Sequence, residues 1–305
     1  MAATPMKYAL ASYRGHDGGS RRAALVIDEV LYDLVDAFGA DAPSWACGSL
    51  DDVVARWDEA GAVLESLSAP ASQPISGKLD APLRPTRIFA AASNYVEHAD
   101  EMGTVLAAKK DSNPYMFTKM SSTVVGPGDT VRIPPESKKV DWEVELGVVI
   151  GKRGRRIPLE QTLDYVAGYT IVNDVSARDL TRRDDYPFKF DWFQGKNFDT
   201  FMPLGPWIVP RSAIDDPQRL HLRLDVNGET MQDASTGAMI FDVREQIAYL
   251  SSLLTLEPGD VIATGTPTGV GMGRGVFLKP GDVMTASIEG IGVLENPVEA
   301  EEVGS

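Results

Sequence analysis

Cysteine occurs once, at Cys47, in a chain of 305 residues. An internal disulfide framework is therefore excluded, and a lone thiol fits a reducing, cytoplasmic compartment. Histidine is almost as scarce, with only His16, His98 and His221. Long apolar runs are missing too: no segment approaches the roughly 20 residues needed to span a bilayer. The opening MAATPMKYALASYRGHDGG has no apolar stretch of the kind a secretory signal carries. Basic clusters with interleaved aromatics are absent and the net charge is −15. Nucleic acid and anionic membrane surfaces, which are bound through Lys and Arg, are not expected partners. What remains is ordinary folded-protein material, 43% hydrophobic and 24% charged, enough for a substantial core.

The chain divides by texture. KYALASY alternates as a strand, and RRAALVIDEVLYDL reads as a hairpin turning at Asp28-Glu29. Helical patterns follow over Ser49–Arg56 and Ala60–Leu67, and then SAPASQPISGKLDAPLRPTR reads as a Pro- and Ser-rich linker. A boundary near Asp80 separates a small N-terminal α/β domain, 1–80, from a larger domain, 81–305. In the second part RIFAAASNY, DTVRIPP, EVELGVVIG, GYTIVNDV, PWIVP, LHLRLDVNGE, GDVIATGTP and GDVMTASIEGIGVLENPV are strand-like, with Asn227-Gly228 a two-residue turn. Helices are expected over Pro158–Tyr165, Ser176–Arg183 and Phe241–Ser251. Strands dominate without regular helical alternation, so the expected class is α+β, mainly β, and not a doubly wound parallel sheet.

Within VDWEVELGVVIGK, alternation puts Trp142, Val144, Leu146, Val148 and Ile150 on one strand face. Asp141, Glu143 and Glu145 then share the other, where like charges repel. Either that face meets water, the commoner origin of such a pair, or a positive group sits against it. Glu143 and Glu145 could take two positions around a hard divalent cation, which prefers oxygen ligands. Asp174 falls near the end of another apolar strand, held yet accessible. Ser176 and Asp179 after it have the spacing of a helix cap, and Asp174 could equally brace that turn.

SNYVEHADEMG places His98 and Glu101 at i and i+3 of a helix, where a carboxylate can orient an imidazole for use as a general base. A surface contact is the plainer reading of such a pair; Gly103 after it fits a helix end or the hinge of a mobile lid. His221 in an alternating strand reads as structural, and His16 lies in a glycine-rich loop. Lys196, among the aromatics of FQGKNFDTF, needs a partner or a substrate anion. The loop ATGTPTGVGMGRG lacks the ending of a phosphate-binding loop; its N–H groups and Thr266 instead suit a small anionic site.

Taken in order, VDWEVELGVVIGK, DYVAGYTIVNDVSARDL, FQGKNFDTFMPLGPW, LEPGDVIATGTPTGVG and LKPGDVMTASIEGIGVLENPV resemble the fumarylacetoacetate hydrolase family, from Ile88 onward. The resemblance implies a mixed β-roll catalytic domain, dimeric, binding Mg²⁺ or Mn²⁺ through Glu143, Glu145 and Asp174. It implies a catalytic His98–Glu101 pair on a lid, an active-site Arg178 and Lys196, and substrate-lining Thr200 and Thr266. Two positions depart from the pattern. Thr181 stands where many members carry glutamine, and Ala91 stands where some carry a fourth aspartate ligand.

The implied activity is hydrolysis of the C–C bond of an acylpyruvate or related 2,4-dioxo acid. A dication would stabilise the departing enolate, and His98, oriented by Glu101, would activate water. The same site would serve decarboxylation of oxaloacetate-type acids, tautomerisation or isomerisation, or hydration. Two further classes are a non-catalytic metal-binding scaffold, which the intact set of polar residues argues against, and a nucleotide binder using the glycine loop. The aromatic segment YPFKFDWF points to an apolar substituent on the substrate.

Overall fold

The computed structural model describes residues 8–15, 19–67 and 70–302; His16 lies outside these. Two sheets organise the chain, and the strand-dominated α+β architecture is the one expected. The larger has 11 strands. Nine form a path, Val30–Asp33, Arg22–Ile27, Ala9–Arg14, Met202–Pro210, Val166–Asn173, Val144–Ile150, Val261–Ala263, Ile88–Ala92 and Tyr115–Lys119, while Lys78–Asp80 pairs with Ala9–Arg14 and Val124–Val125 with Met202–Pro210 off it. The smaller has five, ordered Glu229–Ser235, His221–Val226, Val283–Ile288, Gly292–Ala300 and Val131–Ile133.

Most neighbours are antiparallel. The hairpin at Asp28-Glu29 forms with both residues at positive φ, and so does the Asn227-Gly228 turn. The N-terminal strands extend the large sheet, with Leu10 opposite Ile208. Leu50, Val53 and Leu64 from the helices Leu50–Ala55 and Trp57–Ser66 pack with Val149, Val172 and Ile208 in one core. On the other face of the large sheet, Val144, Leu146, Val148 and Ile150 meet Leu222, Leu224, Met284 and Ala286 of the small sheet. Strand Val144–Ile150 is thus buried on both sides along its whole length.

Four local expectations change. The stretch from Val140 to Ile150 is two strands, not one: Val140–Asp141 pairs with Ser176–Ala177, and Val144–Ile150 with Val166–Asn173. Side chains cause the break, since the N–H of Glu143 donates to Asn173 Oδ1 and that of Val144 to Gln232 Oε1. The helix expected over Ser176–Arg183 shrinks to Arg178–Thr181 and has no side-chain cap. Asp179 instead accepts from Ser137 Oγ and Lys138 N, while Ser176 Oγ donates to the Asp174 carbonyl. Tertiary partners outcompete the local cap. Leu159–Tyr165 is a 3₁₀ helix, and a short helix, Trp192–Lys196, forms where none was expected, capped by Asp191.

Candidate active site

Antiparallel register assembles the acids. Val144 lies opposite Asn173 and Glu145 opposite Val172, so the start of one strand meets the end of the other. The N–H of Asp174 donates to the Glu143 carbonyl over 2.9 Å. Glu143, Glu145 and Asp174 consequently converge, with one carboxylate oxygen from each within 4.8 Å of the others. All three are buried, as is Asp141. A solvated strand face is therefore ruled out.

Positive groups do sit against these acids. Lys196 Nζ lies 2.7 Å from Glu143 Oε2 and 2.8 Å from Asp174 Oδ2. Arg178 reaches Asp141 Oδ2 at 2.7 Å and Glu143 Oε1 at 2.6 Å. Lys119, which the sequence reading did not single out, donates to Asp174 Oδ1 at 2.5 Å and to the carbonyls of Val175 and Phe201. Four buried acids thus face two buried lysines and Arg178, one positive charge short of balance.

That imbalance is uneven. Burial opposes ionisation of Glu143, but Lys196 and then Arg178 outweigh it and hold the group at about 2. Glu145 accepts the N–H of Gly265 at 2.7 Å and makes no ion pair among the described residues. Burial, Asp174 and Glu143 all push its pKa well above the ordinary carboxylate range. A hard cation among three carboxylates would relieve that repulsion, so the donor set fits a divalent metal. Burial lowers the Lys119 pKa despite Asp174, whereas for Lys196 the attraction of Asp174 and Glu143 wins and raises it.

Above the acids lies a cavity of about 610 Å³. Glu143, Lys196, Arg178, His98 and Thr266 are among its polar lining, with Thr181 and Ala91 also on the wall. Tyr115, Phe117, Phe190, Trp192, Phe241 and Leu106 form the apolar remainder. Trp192 stacks on Phe117 at 5.2 Å between ring centroids and on Phe190 at 6.3 Å. Thr266 Oγ1 donates to the Val144 carbonyl and accepts from Gln232. Thr200 does not line the cavity: at a positive φ of 70°, its hydroxyl turns away to accept the N–H of Arg132.

His98 and Glu101 lie on the helix Val96–Glu101, with Nδ1 to Oε2 at 3.5 Å. Glu101 is held below its ordinary pKa: burial opposes this, but His98 and the N–H of Gly269 outweigh it. The glycine loop, read as an anionic site, spends its N–H groups on carboxylates of this same chain. Gly265 serves Glu145, Gly269 serves Glu101, and Gly271 with Met272 serves Asp141. His221 is exposed and pairs with Asp233 across its hairpin, away from the cavity.

Such a fold, carrying such a cavity, is that of an enzyme. The chain belongs to the fumarylacetoacetate hydrolase family: the Fumarylacetoacetate (FAA) hydrolase C-terminal profile matches residues 87–299. It is 46% identical over 217 residues to the rat (Rattus norvegicus) mitochondrial oxaloacetate tautomerase Fahd2a, covering 70% of this chain and 67% of the relative. Among solved structures, the fumarylacetoacetate hydrolase of the psychrophile Exiguobacterium antarcticum is 36% identical with a TM-score of 0.77, covering 96% of this chain and 100% of that one. The maleylpyruvate hydrolase of Sphingobium sp. SYK-6, in complex with manganese(II) and pyruvate, is 30% identical with a TM-score of 0.73, again covering 96% and 100%. No helix among the described residues is long and apolar enough to cross a membrane.

Proposed function

We propose that this protein hydrolyses the C–C bond of an acylpyruvate or related 2,4-dioxo acid bearing a bulky apolar acyl group. One observation carries the reading. One cavity is lined by His98, Lys196, Arg178 and Glu143 of the acidic cluster together with the aromatic side chains of Tyr115, Phe117, Phe190 and Trp192. Glu143, Glu145 and Asp174 would hold Mg²⁺ or Mn²⁺, and the ion would act as a Lewis acid toward the 2-oxo acid end of the substrate.

The chain's own groups supply the rest. Glu101 orients the His98 ring, which takes a proton from a water molecule. That water attacks the distal carbonyl, and cleavage of the C3–C4 bond yields the free acid and the enol form of pyruvate. Lys196 has its three N–H groups on Glu143, on Asp174 Oδ2 and on the Asp174 carbonyl. It contributes positive charge to the developing oxyanion rather than a free donor. Arg178 stays protonated and fixes Glu143. The aromatic wall receives the acyl group and keeps bulk water away from it.

A second reading is tautomerisation of oxaloacetate, which the name of the rat relative favours. His98 would then move a proton at C3 with no water attack. A four-carbon acid leaves most of a cavity of about 610 Å³ unfilled, which supports the larger substrate. The separating test compares turnover of benzoylpyruvate, acetylpyruvate and enol-oxaloacetate, with and without Mg²⁺. Hydrolysis of benzoylpyruvate above that of acetylpyruvate is expected; exclusive conversion of oxaloacetate between its enol and keto forms would replace hydrolysis with tautomerisation. The chain would act as a homodimer in the cytoplasm, where its unpaired Cys47 stays reduced.

A further inference from the structure

The glycine loop has an unassigned task next to the proposed catalytic pair. Gly269 donates its N–H to both oxygens of Glu101, at 3.1 and 3.2 Å. Gly273, on the short helix Gly271–Arg274, lies directly beneath that side chain. A Cβ placed on Gly273 would overlap Glu101 at Cγ, Cδ and Oε1, and these are its three nearest contacts. Bare backbone at 273 is what leaves room for the carboxylate to reach Gly269.

The seat is also fixed from below. Asp141, fully buried, accepts from the N–H groups of Gly271 at 2.6 Å and Met272 at 3.0 Å. It accepts as well from Arg178 Nε at 2.7 Å, and Arg178 reaches Glu143. One carboxylate therefore ties the loop that receives Glu101 to the acidic cluster.

We propose that Gly273 is a positioning residue: it seats Glu101 on Gly269, and Glu101 in turn orients His98. The inference rests on the proposed His98–Glu101 pair. It predicts an unusually local effect for G273A. The residue is not at positive φ, and alanine suits a helix better than glycine, so the backbone accepts the change. The group that must move is the flexible end of Glu101.

The test is a double-mutant cycle of G273A, E101A and E101A/G273A on the full chain with Mg²⁺, together with hydrogen exchange of the Gly269 amide. G273A should lower kcat by about tenfold or more, approaching E101A, and the double variant should fall within about twofold of E101A alone. The Gly269 amide should exchange faster in all three variants, while the thermal midpoint and Mn²⁺ affinity stay at wild-type values. A kcat for G273A within about twofold of wild type, or losses that multiply in the double variant, would overturn the seat. A silent E101A would overturn the catalytic pair instead, and unchanged exchange at Gly269 in G273A would then reject the seat by itself.

Discussion

Lys119 and Asp174 form a buried ion pair at 2.5 Å, with Nζ also bonded to the carbonyls of Val175 and Phe201. The lysine donates three hydrogen bonds and keeps none free, so its work is to hold an acid whose other oxygen faces Lys196. Removing Lys119 leaves a buried anion short of one partner. K119M should lose about 3 kcal/mol of unfolding free energy in urea, the usual cost of breaking a buried pair. A loss under about 1 kcal/mol would mean that the pair adds little beyond a hydrophobic replacement.

His98 separates chemistry from metal binding. H98A should lower hydrolysis by about a hundredfold or more while Mn²⁺ affinity, followed by calorimetry, stays at the wild-type value. Parallel loss of both would make the imidazole a ligand or a structural element.

Trp192 stacks between Phe117 and Phe190 on the apolar wall. W192A should cut kcat/KM for an aromatic acylpyruvate by about tenfold, the scale of one aromatic pair, and change acetylpyruvate little. Equal losses on both substrates would place the wall outside substrate recognition.

Asp80 reports on the junction between the first 80 residues and the rest. It pairs with Arg84 at 2.7 Å and Arg14 at 2.8 Å, with Arg21 at 3.7 Å. Burial opposes its ionisation, yet Arg84, Arg14 and Arg21 bring its pKa below the ordinary 3.8. A depressed carboxylate stabilises the fold above its unfolded value and loses that contribution as pH falls through the folded one. D80N should therefore cost about 1–3 kcal/mol at neutral pH, with the gap to wild type narrowing below about pH 4. A gap that stays constant from pH 7 to pH 3 would deny the ion pairs a role.

Much of the site was legible because its residues are chemically out of place in strand patterns. Glu143, Glu145 and Asp174 interrupt apolar strands, and the antiparallel register that joins them follows from two neighbouring strand signals. Lys196 was visible as a cation among aromatics. Lys119 carries the same signal in YMFTK, where alternation puts it on the face of Tyr115 and Phe117, but no motif drew attention to it. Asp141 was seen only as one more acid, because its partners Gly271, Met272 and Arg178 lie far away in sequence. Thr200 could not be placed by type, since a left-handed backbone decides where its hydroxyl points. The break at Trp142 and Glu143 was hidden for a related reason: the side chains of Asn173 and Gln232 supply the hydrogen bonds that end the strand.

The most direct measurement is diffraction from crystals grown with Mn²⁺ and oxalate, a planar mimic of the pyruvate enolate, recorded at the manganese edge. An anomalous peak bonded to one oxygen each of Glu143, Glu145 and Asp174, with oxalate on its open side toward His98, is expected. A peak elsewhere, or none while oxalate is bound, would contradict the account.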